Sequence, residues 1–226
     1  MGSLLRLKAD LGDESFVTAL KLSRVDLKHA ARLDTLIAPM PGVSLLYLSP
    51  FPASLPQADS IPKLLLVSLR LQAFAAYESG RIVTWGPISS GGSQSPTRTG
   101  LYHPNWKDRR HVSSVDSTWI MPWTVNIDDR VGTALHQYSL PGRPASHCCI
   151  RLLESDARWI YDWIRTSAPG RRGTPVVLFG EYRFELPPPW RSLPRNPGLA
   201  TLGADEVDDA LDLLYGQREA VTSDGD

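Results

Sequence analysis

From residue 63 the chain changes character, and that change limits the fold more than any other feature of the sequence. "KLLLVSLRLQAFAAYESGRIVTWGPISSGG" is rich in branched and aromatic residues, and "ESG" at 78–80 separates two such runs as a hairpin turn does. Further short candidates follow in "GLYHPNW", "TWIMPWTVNI", "GTALHQY", "TPVVLFG" and "YRFEL", each bounded by Gly, Pro, Asn or Asp. Short apolar runs with regular punctuation predict an all-β sandwich or barrel. One strong helix interrupts them: in "LESDARWIYDWIR", Leu153, Ala157, Ile160 and Ile164 fall on one face.

Proline marks the limits of this region. "PFPASLPQADSIP" (50–62) carries four prolines and "PPPWRSLPRNPG" (187–198) breaks regular structure again. The expected organisation is therefore an α-rich segment over 1–60, a β domain over 61–186, and a Pro-rich linker, acidic helix and polar tail over 187–226. In the first segment "DESFVTALKLS" and "DLKHAARL" read as helices and "DTLIAP" as a closing strand. That strand, helix, helix, strand order has a faint similarity to a LysM peptidoglycan-binding module; the simpler reading is a helical lid on the main domain. In the last segment "ADEVDDALDLLYG" reads as an amphipathic helix that packs through Leu211 and Leu214.

With 42% hydrophobic residues in 226, the chain buries a real core. The formal charge is zero but uneven: eight acids against Arg218 alone from Ala204 to Asp226 leave about −7 there, and +7 on residues 1–203. A modest positive body suits an anionic substrate or surface, but without dense Lys/Arg clusters it argues against nucleic acid. No apolar run reaches the roughly 18–20 residues of a membrane span. The opening "MGSLLRLKAD" reads either as a natural start or as what remains after removal of an export signal, and that choice decides the compartment.

The two cysteines, Cys148 and Cys149, stand side by side in "LHQYSLPGRPASHCCIRL" (135–152). Consecutive α-carbons lie about 3.8 Å apart, whereas an ordinary disulfide needs roughly 4.4–6.8 Å, so the pair does not bridge without strain. No CxxC spacing is present and the five histidines are scattered, which gives no support for a metal site. Two readings remain: small buried core residues, or at least one nucleophile. His136, His147, Arg151 and the positive end of the helix beginning near Glu154 all favour a thiolate.

"SHCCIRL" resembles the signature of the YkuD-type L,D-transpeptidases, Ser-His-Gly-Cys-hydrophobic-Arg preceded by an earlier histidine. The matching positions are Ser146, His147, Cys149, Ile150 and Arg151, with His136 as the earlier histidine. "SPTRTGLYHPNW" is similar to the family's Thr-Pro-x-Gly-x-Phe turn and "WIMPWTVNI" to its Met-Pro-Tyr strand. "LPGRPASH" is similar to the run found in Gram-negative members. The resemblance spans about 63–186.

It implies a β-sandwich catalytic domain with a helix after the catalytic loop and small helical additions at both ends. It also implies a cysteine nucleophile acting on peptidoglycan tetrapeptide stems through a thioester, which an amine acceptor then takes to give a 3→3 cross-link. In that reading Cys149 attacks, His136 moves the proton, and the Gln137 carbonyl orients His136. The amides of His147, Cys148 and Cys149 hold the oxyanion. Ser146 orients His147 or serves the turn, and Arg151 meets a carboxylate or loop carbonyls. Tyr102, His103, Trp106, Trp119 and Trp123 are either groove or core. No cofactor is implied, and the compartment implied is the periplasm. Hydrolysis by the same cysteine, as an L,D-carboxypeptidase or amidase, and a non-catalytic wall-binding domain are the alternatives. The main departure is Cys148, which stands where the family has glycine. The expectation here is a turn adjusted to a negative φ, so that Cys148→Gly slightly destabilises.

Overall fold

The computed structural model describes residues 2–40, 42–113, 116–193 and 197–222. Helices α1 (Gly2–Leu11), α2 (Asp13–Leu22) and α3 (Leu27–Ala30) precede strands β1 (Leu64–Ser68), β2 (Ala73–Glu78), β3 (Arg81–Ser89), β4 (Gly100–Tyr102), β5 (Lys107–Val112), β6 (Ile120–Asp128), β7 (Thr133–Gln137) and β8 (Ile150–Leu152). Helix α4 (Glu154–Trp163), strand β9 (Val176–Phe179) and helix α5 (Ala204–Thr222) follow. The strands form one sheet in the order β4-β9-β1-β2-β3-β8-β7-β6-β5. The mostly β architecture with a helix after the cysteine segment, and helices at both ends, is the one expected.

The sheet curls at β3. This long strand pairs with β2 through Arg81–Pro87 and with β8 through Ile88 and Ser89, so it belongs to both halves. Curling lets the halves share one interior: Leu65, Val67, Phe74 and Ala76 meet Val125, Leu135, Ile150 and Leu152, and Ala157, Ile160 and Ile164 close it. The other face of β1, β2 and β9 is covered too. Leu64, Leu66, Ala75, Tyr77 and Phe179 pack under Phe51, Leu55 and Ile61 and under Ala210, Leu211 and Leu214 of α5. Burial on both faces is why these strands read as continuous apolar runs rather than as alternation.

Several local readings need correction. The strand, helix, helix, strand order is absent: Gly2–Leu11 is helical, and the stretch around Ile37 forms no strand. The Ile37 amide donates to the Ser23 hydroxyl at 3.1 Å, so this segment is tied to the end of α2 and not to a ladder. "YRFEL" forms a turn in which Tyr182 and Phe184 meet edge to face at 5.0 Å. Two strands escaped the pattern. β5, "KDRRHV", is an edge strand whose charges protect an open edge, and β8 has three residues. Residues 194–196 of the Pro-rich linker and 223–226 of the polar tail lie outside the described residues.

The N-terminal helices are attached through buried charge. Lys21 Nζ on α2 donates to Asp156 Oδ1 on α4 at 2.7 Å and to the Trp85 carbonyl at 3.3 Å. Asp156 Oδ2 has no hydrogen-bond partner among the described residues. Burial pushes the Asp156 carboxyl up, and Lys21 opposes that shift. Arg24, 1% exposed, lies between the Trp85 and Trp190 rings at 5.3 and 5.6 Å and donates to the carbonyls of Lys21 and Leu71. Breaking a buried pair costs far more than replacing it whole. Lys21→Met should therefore destabilise by about 3 kcal/mol in urea unfolding, and the double variant Lys21→Met/Asp156→Leu should recover most of that loss.

Candidate active site

The pairing of β7 with β8 is parallel, and it sets Leu135 opposite Ile150 and His136 opposite Arg151. Parallel neighbours need a crossing connection of about a dozen residues or more, usually a helix. Here residues 138–149 cross as a loop and deliver both cysteines to the start of β8. A cavity of about 640 Å³ opens there, lined by His136, Ser146, His147, Cys148, Cys149 and Arg151 together with Trp106, His111, Trp119 and Tyr138.

The loop is held at many points. The Ser90 carbonyl accepts from the amides of Ala145 and Ser146, and the Gly92 amide donates to the Ser146 carbonyl. Ser90 is itself clamped by Gln72, which accepts from its amide at 2.9 Å and donates to its hydroxyl at 2.8 Å. The Ser146 hydroxyl donates to the Cys149 carbonyl, so of its two expected tasks it serves the turn. The Thr97 hydroxyl donates to the Cys148 carbonyl and accepts from the Gly91 amide, both at 2.8 Å. Gly91 is required there, because a Cβ would sit 2.1 Å from the Ser95 carbonyl. From the other side, Asp26 accepts from the Leu140 amide at 2.8 Å and the Leu140 carbonyl accepts from the Asp26 amide. Among the described residues the amides of His147, Cys148 and Cys149 have no acceptor.

His136 is 4% exposed, and its Nδ1 lies 3.0 Å from the Gln137 carbonyl. A carbonyl only accepts, so in the neutral ring Nδ1 carries the proton and Nε2 is left with a free lone pair. Burial holds the imidazolium pKa down to about 4, with the nearby Arg151 charge adding to the effect and the bond to Gln137 opposing it. The ring is therefore a neutral base at neutral pH.

The Cys149 thiol donates to the Gly132 carbonyl at 3.5 Å. Cys148 Sγ stands 3.8 Å from both the Val131 carbonyl and the Thr133 hydroxyl. The adjacent thiol draws Cys148 down to about 6 and, together with burial, pushes Cys149 up.

Cys148 has a φ of 90°, in the region that favours glycine, so the expected negative φ is overturned. The peptide there keeps the path glycine would take because Thr97 and Ser146 hold the carbonyls of both cysteines in place. His147 is exposed and its ring lies 5.1 Å from Trp119, which rules out a buried structural role. Arg151 has neither a carboxylate nor a carbonyl partner among the described residues and instead lies over the Tyr138 ring at 4.7 Å.

Tyr102 and His103 do not line the cavity. The Tyr102 hydroxyl turns back to the Arg98 and Thr99 carbonyls. Trp106 and Trp119 line it, whereas Trp123 packs against Tyr161. Sequence reading missed Tyr138, Ser90 and Thr97. Thr97 lay inside the motif "SPTRTG", where its spacing before Gly100 was the available signal.

Residues 62–178, more than half of the chain, match the L,D-transpeptidase catalytic domain (YkuD), and the chain belongs to that family. Among curated proteins none matches. Similar solved structures include an L,D-transpeptidase from Stackebrandtia nassauensis, 24% identical with a TM-score of 0.47, where 54% of this chain covers 57% of that one. An L,D-transpeptidase from Mycobacterium smegmatis is 20% identical with a TM-score of 0.46, over 53% and 59% of the two chains. An L,D-transpeptidase in complex with imipenem is 21% identical with a TM-score of 0.45, over 52% and 59%. The chain thus spans less than two thirds of the length of these structures.

Two outcomes follow from the backbone and the buried ring. A β-carbon at positive φ costs about 1–2 kcal/mol and glycine's extra unfolded freedom returns part of that, so Cys148→Gly should stabilise by about 0.5–1 kcal/mol in thermal unfolding. His136 binds its proton near 6.5 when unfolded and near 4 when folded. Between these values the unfolded chain holds more protons, so stability falls as pH drops through that window. A His136→Asn variant should show a flatter loss there.

Proposed function

We propose that this chain is a cysteine-dependent L,D-transpeptidase acting on peptidoglycan tetrapeptide stems in the periplasm, with Cys149 as nucleophile and His136 as its base. The observation that carries this reading is the pairing of a neutral, buried His136, fixed through Nδ1 on Gln137, with the Cys149 thiol on one cavity of a YkuD-family domain.

In this reading His136 Nε2 takes the Cys149 proton as the sulfur attacks the amide carbonyl between the diamino acid and the terminal D-alanine. The thiol first turns from Gly132 toward the ring; catalytic hydrogen bonds often tighten only with substrate bound. Negative charge develops on the carbonyl oxygen. The amides of His147, Cys148 and Cys149 are supported as its donors because no protein group occupies them among the described residues. One such donor is worth about 2.7–4 kcal/mol in acyl transfer. The imidazolium then gives its proton to the departing D-alanine amine. Burial makes that imidazolium strongly acidic, which favours the transfer. The thioester left on Cys149 passes to the side-chain amine of a second stem, giving a 3→3 link. Arg151, which has no anionic partner among the described residues, suits the carboxylate of a stem peptide.

Incubation with purified disaccharide-tetrapeptides should release D-alanine and yield a dimer by mass. A shortened monomer would instead indicate the hydrolase, and unchanged substrate a wall-binding role. A carbapenem should add its mass to the parent and to Cys148→Ala but not to Cys149→Ala, and an adduct on Cys149→Ala would overturn the assignment. His136→Ala should slow acylation by about 10²–10⁴-fold.

A further inference from the structure

Successive side chains of an extended segment point to opposite sides. At the cysteines this rule does not hold: Cys148 has a φ of 90°, and both cysteines line the same cavity. Both sulfurs meet one short turn, Cys148 at 3.8 Å from the Val131 carbonyl and Cys149 at 3.5 Å from the Gly132 carbonyl, two adjacent residues. Both line the open cavity, so a small solute reaches them. The chain has no other cysteine, so within one molecule each has only the other as a partner.

We propose that Cys148 and Cys149 form a reversible oxidative-modification site, at which a hydroperoxide converts the adjacent thiols into a disulfide. Insofar as Cys149 is the acyl-carrying nucleophile proposed above, that bond withdraws the enzyme from turnover. The first step is attack of the Cys148 thiolate on one peroxide oxygen. The S–O bond forms, the O–O bond breaks, and the alkoxide or hydroxide leaves with a proton from water, so Cys148 becomes a sulfenic acid. Cys149 sulfur then attacks Cys148 sulfur and expels hydroxide, which takes the Cys149 proton and departs as water. In sum, two thiols are oxidised by two electrons to one disulfide while one hydroperoxide is reduced to an alcohol and water, or, for hydrogen peroxide, to two waters.

Two features select Cys148 for the first step. It is the thiol drawn down to about 6, and the Thr133 hydroxyl donates toward its sulfur. Strain then works for reversibility. The α-carbons of neighbours are closer than an ordinary disulfide wants, and a strained bond is readily reduced. A lone nucleophilic thiol with glycine before it has no resolving partner and continues to the irreversible sulfinic acid. The cost of a β-carbon at positive φ therefore has a counterpart in protection.

The test exposes the reduced full chain to hydrogen peroxide and follows intact mass, alkylation and carbapenem capture. The parent should lose the mass of two hydrogen atoms, resist alkylation at both cysteines, lose carbapenem capture and regain it with dithiothreitol. Cys148→Gly and Cys148→Ser should instead gain the mass of two oxygen atoms and stay inactive after dithiothreitol. A parent that gains oxygen without losing two hydrogens, or that forms only a disulfide between two chains, overturns the proposal. A parent that forms the internal disulfide but never captures carbapenem in its reduced state upholds the modification site and overturns the acyl-transfer reading alone.

Discussion

Most of what the site does depends on a parallel pairing made without a helix. β7 and β8 lie side by side in the same direction, so the chain must leave the end of one and return to the start of the other. In most folds a helix covers that distance, and here a loop does. A loop has no hydrogen-bond ladder of its own, so its geometry has to come from outside. Ser90, Gly92 and Thr97 supply it from the segment after β3 and Asp26 from the N-terminal segment, while Ser146 closes the loop on itself. Around residues 147–149 the carbonyls are the atoms being held, and among the described residues the amides have no acceptor.

The remainder of the fold keeps that loop in register. A long β3 joins the two halves of the sheet, and the curl gives them a common interior that α4 closes. The N-terminal helices then act on the same loop at a distance: Lys21 and Arg24 fix the end of α2 against the sheet, and Asp26, just beyond, meets Leu140. Buried charge is a costly way to attach an element, but a hydrogen-bonded cation has far fewer acceptable positions than an apolar side chain. Register is what the loop needs.

Burial acts differently on the groups of the cavity. It keeps His136 uncharged, ready to accept a proton and quick to return it. On the thiols it opposes ionisation, and there the neighbouring thiol outweighs it for Cys148 and adds to it for Cys149. A site with glycine at position 148 lacks that neighbour. The second cysteine thus changes the protonation behaviour of the site as well as its bulk.

Elements whose signal is local were legible in the order of residues alone. The paired apolar runs of β2 and β3, the amphipathic face of α4, and the His136, Ser146, His147, Cys149 and Arg151 spacing could all be read because periodicity and motif spacing are properties of neighbours in the chain. The rest depends on contacts between segments far apart in the chain. β5 is charged and exists through its pairing with β6. The Ile37 amide is bonded to the Ser23 hydroxyl instead of to a strand, and the Tyr102 hydroxyl is bonded to carbonyls of its own loop. Thr97 and Ser90 became site residues through contacts some 50 residues away in sequence. The sign of φ at Cys148 belongs to this second group, since a residue's backbone angle is set by what its carbonyl and its neighbours' carbonyls are bonded to, and those partners come from distant parts of the chain.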